Sequence, residues 1–153
     1  MNRVKSVILL TLLSVILMAI GGAFGGRSGA FTMLLVSFGI NFITYWNCDK
    51  IALAQYDAKY VSPQDVPELY DLVGKLCQNA KIPMPKLYVI PTDVPNAFAT
   101  GRNVNHAAVA ITEGLLSRLN KDELAGVISH ELSHIRHHDT LIMTLAASIA
   151  SAI

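Results

Sequence analysis

Two uncharged apolar runs open the chain, residues 6–26 and 28–48, with only Arg27 between them. Each is about the length that crosses a bilayer as a helix, roughly twenty residues. The first is rich in Leu, Ile and Val. The second is more mixed, with Asn41, Thr44 and Asn47 toward its end and Tyr45 and Trp46 where an interfacial aromatic belt falls. The pattern predicts a transmembrane helical hairpin over residues 1–48. A cleaved leader is the competing reading, with Arg3 and Lys5 as its basic start. The first run is longer than the apolar part of a usual leader, and a second run follows at once, so the hairpin is preferred. Arg3 and Lys5 precede the hairpin, Lys50 and Lys59 follow it, and the connecting loop holds one Arg. That asymmetry places both ends in the cytoplasm and makes the protein a multi-pass one.

The pattern then changes. Residues 49–60 read as a polar helical extension or linker. Ser62-Pro63 predicts a helix start, with Ser as N-cap and Pro at the first position. Val66, Leu69, Tyr70, Val73, Leu76 and Ala80 give this helix one apolar face, and Pro83 and Pro85 end it. Residues 86–90 read as a short strand and 96–101 as a second. A turn at 101–105 leads to a weakly alternating partner strand at 107–112. A short helix at 114–119 precedes a longer one. The order describes a small α+β unit with a short mixed sheet, occupying residues 49–139. Residues 140–153 are uncharged and too short a run to span a bilayer, so they read as the start of a further transmembrane helix, cut short.

Composition narrows the picture. The chain is 52% hydrophobic and only 15% charged, as a chain with membrane segments should be. Its formal net charge of +1 and scattered basic residues exclude a nucleic-acid partner. Cys48 and Cys77 fit no metal or redox spacing and read as reduced packing residues.

The chemistry is concentrated in His130-Glu131-Leu132-Ser133-His134, an H-E-x-x-H sequence. Asn120 is a good N-cap for its helix, and Glu123 completes a capping-box pattern. Leu124, Ile128, Leu132 and Ile135 form an apolar stripe. Each histidine lies two residues past a stripe position, about 200° round the helix. One face can therefore pack while the opposite face looks into a cleft. Histidines four apart share a face and can both reach one Zn²⁺ at about 2.0–2.1 Å. Glu131, beside the first ligand, can take a proton from an attacking water and later pass it to a leaving amine. The unit is thus read as zincin-like, with one zinc per chain. The plain alternative is a solvated polar face matching the motif by chance.

A catalytic zinc usually takes three protein ligands. On a continuous helix His138 lies about 12 Å of rise from His130, too far to share the ion. The metzincin pattern fails as well, because His137 and Thr140 stand where it needs Gly and His. A distant carboxylate remains, and nothing singles out one of Glu68, Asp71, Asp93 or Glu113. Asp139 is either a group that orients a ligand imidazole or a surface acid at the helix end.

The apolar hairpin, the segment Asn96-Ala97-Phe98-Ala99-Thr100-Gly101, the H-E-x-x-H helix with Asp139 after it, and the apolar tail occur here in one order. In this the chain resembles the HtpX family of membrane-embedded zinc metalloproteases, relatives of the CAAX prenyl endopeptidases. The resemblance implies a bacterial cytoplasmic-membrane protease with its active site in the cytosol, acting on misfolded or damaged membrane proteins. It implies His130 and His134 as zinc ligands and Glu131 as the catalytic acid and base. It also implies that Asn96, Ala97, Phe98 and Ala99 belong to an edge strand lining the substrate cleft. An extended substrate can pair with such an edge through backbone groups. Members of that family carry a glutamate on a later helix as third ligand, so the third ligand is expected beyond residue 153. Two other readings stand beside this one. The chain can be a non-catalytic membrane-anchored module with a degenerate two-histidine site, or a metal carrier using His134, His137 and His138.

Overall fold

The computed structural model describes residues 2–137, 139 and 140. The expected membrane segment at 140–153 therefore lies, apart from Thr140, outside the described residues. The elements are α1 (Asn2–Gln55), β1 (Lys59–Tyr60), α2 (Pro67–Ala80), β2 (Lys86–Ile90), β3 (Ala97–Gly101), β4 (Ala107–Thr112), α3 (Glu113–Arg118) and α4 (Lys121–Arg136). The result is a mixed α+β unit behind a long apolar helical segment.

Helix α1 is interrupted at Gly26 (φ 57, ψ −145) and at Asn47 (φ −120, ψ 18). The Asn41 amide donates to Ser14 Oγ at 2.9 Å. In a straight helix those two residues would be about 40 Å apart, so the chain reverses between them. Gly26 supplies the left-handed backbone for the reversal at no Cβ cost. Phe24, Phe31, Phe38 and Phe42 lie exposed along this segment. Within it, Leu10–Gln55 is long and apolar enough to cross a membrane.

The second break has a different purpose. Asn47 leaves the helical path, and the Trp46 carbonyl accepts instead from Arg102 Nη1 at 3.1 Å. The same guanidinium lies 4.4 Å over the Trp46 ring, within cation–π range. The turn after β3 is thereby fastened to the end of the apolar segment. Beyond the break α1 runs on to Gln55, where the sequence reads equally as helix or linker. Its last turns are covered by the sheet, which buries Cys48, Ala52 and Leu53.

The sheet has the order β1-β2-β4-β3. β1 is antiparallel to β2, β2 parallel to β4, and β3 antiparallel to β4. The sheet is mixed, as expected, with β1 an addition that a two-residue strand gives no pattern for. Every residue of β4 is buried, which explains its weak alternation. One face carries Leu87, Ala99, Val109 and Ile111 against Val73 and Cys77 of α2 and Ile128, Leu132 and Ile135 of α4. The other face carries Ile90, Ala108 and Ala110 against Leu53 of α1. Burial pushes the Cys77 thiol pKa up, which keeps it a packing group.

Helix α2 starts later than Ser62-Pro63 predicts. The Ser62 amide and hydroxyl both donate to Asp65 Oδ2, at 2.8 and 2.6 Å, and close a separate turn. Those hydrogen bonds hold the Asp65 carboxyl below the usual range. Val66 (φ −139, ψ 64) lies outside the helical region, which a residue before proline avoids, and Pro67 opens the helix.

Candidate functional site

Helix α4 presents the site, and its start is built as its sequence dictates. Asn120 Oδ1 accepts from the Asp122 and Glu123 amides, both at 3.0 Å, and Glu123 returns a bond to the Asn120 amide at 2.9 Å. Asn120→Ala is expected to lower unfolding stability by about 1 kcal/mol, read as a shift in the urea midpoint. Leu124, Ile128, Leu132 and Ile135 are all buried, so the apolar stripe anchors the helix to the sheet. His130 is left exposed and His134 partly so, on the other side.

The two imidazoles converge. His130 Nε2 and His134 Nε2 are 3.2 Å apart, with the rings at 86° to each other. Two ligands of a tetrahedral zinc at 2.0–2.1 Å would have their donor atoms about 3.3 Å apart. The pair therefore fits a zinc ion. Among the described residues no cluster of three His, Cys, Asp or Glu side chains completes a metal site. His137 does not turn toward the pair: its Nδ1 donates to the Ser133 carbonyl at 2.7 Å. His138 lies outside the described residues.

Asp139 comes back to the site because α4 ends at Arg136. The Asp139 amide bonds the His134 carbonyl at 3.0 Å, and Asp139 Oδ2 lies 3.5 Å from His134 Nδ1. A carboxylate there favours a proton on Nδ1 and leaves Nε2 with a lone pair facing His130. An ideal helix continued to residue 139 hides this contact. The next residue, Thr140, is buried and donates to the Gly101 carbonyl at 2.8 Å, a tie that the sequence gives no signal for. Gly101 itself sits at φ 129, where an added Cβ would collide with the His106 carbonyl.

Glu131 is only 8% exposed although it carries a carboxyl group. Its Oε2 accepts from the Ala99 amide at 3.0 Å, a buried bond between α4 and β3. That bond also fixes which way β3 faces. Asn96 exchanges its hydrogen bonds with Thr112, so its backbone is spent on β4. Along an antiparallel pair the bonded positions alternate. Ala97 and Ala99, opposite Ile111 and Val109, therefore turn their backbone groups to the outer edge of the sheet, where Glu131 takes up the Ala99 amide. Of the four strand residues singled out by sequence, Ala97 and Ala99 come to the edge beside Glu131. Asn96 is tied to β4, and the Phe98 side chain lies on the far face of the sheet with Ala110 and Leu53.

An apolar groove of about 510 Å³ runs elsewhere, lined by Val66, Leu69, Leu72, Leu116, Leu119 and Leu124. Its Lys121 end lies about 14 Å along α4 from His130. Glu68 and Lys121 also line it, and it lies away from the converging imidazoles.

A helix bearing H-E-x-x-H, packed beside the edge strand of a small mixed sheet, has the layout of a metallopeptidase unit. Residues 63–153 match Peptidase family M48, and the chain belongs to that family. It is 51% identical over 152 residues to a protein named "Protease HtpX homolog" from Desulfatibacillum aliphaticivorans, covering 99% of this chain and 49% of that protein. A protein of the same name from Pelotomaculum thermopropionicum is 51% identical over 153 residues, 100% of this chain and 54% of its own length. One from Thermococcus kodakarensis is 52% identical over 146 residues, 95% of this chain and 50% of its own. The resemblance read from the motifs is borne out, and the chain spans about half the length of the curated relatives it matches.

Proposed function

We propose that the protein is a membrane-embedded, zinc-dependent endopeptidase that cleaves misfolded or damaged membrane proteins. The observation that carries this reading is the pair of converging imidazoles on the same helix as a buried Glu131 carboxylate that is bonded to the Ala99 amide of the edge strand. His130 and His134 would hold the ion, with a third protein ligand outside the described residues. Zinc there would supply Lewis acidity toward the scissile carbonyl. The edge of β3 would hold the substrate extended through Ala97 and the Ala99 carbonyl. Glu131 would act as base and then as acid. Because Oε2 is engaged by Ala99, Oε1 is the oxygen that takes the proton of the attacking water and hands it to the leaving nitrogen.

The apolar segment would be a transmembrane hairpin that reverses at Gly26, with the peptidase unit on the cytoplasmic side. Support comes from the exposed apolar side chains of α1 and from the basic residues at both outer ends. The Arg102–Trp46 contact would then hold the strand edge close to the membrane surface.

Asp139 would orient His134. Asp139→Ala is expected to weaken zinc binding about 10–100-fold, as loss of an outer carboxylate does elsewhere. A competition titration with a chelating dye measures it, and an unchanged affinity would remove Asp139 from the site. The absence of a third ligand among the described residues favours one other reading, a non-catalytic membrane-anchored module with a two-histidine site. Cleavage of an extended peptide by the purified protein in detergent, abolished by chelation and restored by zinc, discriminates them. Zinc binding without cleavage favours the module.

A further inference from the structure

The far face of β3 carries a feature that the proposed chemistry does not use. Phe98 projects there, on the face opposite Ala97, Ala99 and α4. Its ring meets that of Tyr56, just past the end of α1, with centroids 5.1 Å apart and planes at 48°. Leu53 and Ala110 back Phe98 from the inside. Tyr56 remains 47% exposed and Phe98 is part-exposed, although both are large rings beside the edge strand.

A strand added to that edge must alternate its side chains between the two faces of the sheet. The residue opposite Ala99 sends its side chain to the α4 side of the sheet, beside Glu131. Its neighbour, opposite Phe98, sends its side chain to the other face, against the two rings. Cross-strand neighbours on one face are about 4.5–5.5 Å apart at Cβ, within reach of both. We propose that Tyr56 and Phe98 form an apolar shelf that selects a large apolar or aromatic substrate residue immediately next to the residue facing Glu131. This rests on the reading of β3 as the substrate edge. Such residues are what the transmembrane and core segments of an unfolded membrane protein offer in abundance. The alternation also limits the preference to one register position.

The test uses the zinc-loaded protein in detergent with Glu131→Gln, so that bound peptides are not cut. Fluorescence anisotropy compares labelled, extended Ala-rich peptides with Phe moved one position at a time. One Phe position is expected to raise affinity about tenfold, about 1.4 kcal/mol, over the all-Ala peptide. In Tyr56→Ala that ratio is expected to fall below about threefold, and Tyr56→Phe is expected to keep it. Ala97→Pro removes an edge amide at a position where proline leaves the β4 bonds intact, and is expected to weaken every peptide. If Ala97→Pro weakens binding but Tyr56→Ala leaves the Phe preference unchanged, the shelf is overturned and the edge stands. If no peptide binds, or Ala97→Pro binds as well as its parent, the edge itself is not the site and the shelf falls with it.

Discussion

Glu131→Gln is expected to keep zinc binding and to lower kcat/KM for peptide cleavage by about 10²–10⁴-fold, the span that positioned acid–base groups contribute. The substitution is close to isosteric, and the Gln carbonyl can still accept from the Ala99 amide that Glu131 Oε2 meets at 3.0 Å. The α4–β3 packing should therefore survive, and unfolding curves should superpose. What disappears is the oxygen proposed to take and return a proton. A loss confined to KM would point to substrate binding instead, and retained activity would remove Glu131 from the chemistry. The near-complete burial of this carboxyl group fits such a role, since a polar group of this kind is kept out of water only where it is hydrogen-bonded or used.

His134→Ala is expected to weaken zinc at least about 100-fold and to abolish cleavage with it. Removing a direct ligand should exceed the 10–100-fold cost typical of an outer partner. The effect should also exceed that of Asp139→Ala, because Asp139 acts only through the His134 ring, 3.5 Å away. His134→Ala leaves Leu132 and Ile135 untouched, so the helix should fold. Isothermal titration with zinc checks this, and equal affinity in the variant and its parent would mean that the ion sits elsewhere.

Much of this was legible in the sequence because α4 is locally consistent. Its cap, its buried stripe and its polar face all specify one helix, and the H-E-x-x-H spacing then sets the imidazole pair by helical geometry alone. The strands β2, β3 and β4 were readable from turn residues and β-rich runs. The rest depends on where the chain bends. Pro67 imposes its own start on α2 and overrides the Ser62-Pro63 pattern. The two-residue β1 carries no periodicity. Asp139 reaches His134 only because α4 stops at Arg136, and an ideal-helix projection puts it off the site. The Ala99–Glu131 bond and the Tyr56–Phe98 contact join residues 32 and 42 positions apart, and no local pattern announces either. The Arg102–Trp46 contact is hidden in the same way, since a lone arginine in a turn reads as a solvated charge.

On the proposed function, zinc held by His130 and His134 drives peptide hydrolysis. The most direct test strips the purified protein of metal, adds zinc in known ratios and follows cleavage of an extended peptide in detergent. No cleavage is expected without metal, and a rise that levels off at one zinc per chain is expected on addition. Undiminished cleavage by the metal-free protein, or a fully zinc-loaded protein that never cleaves, would contradict it.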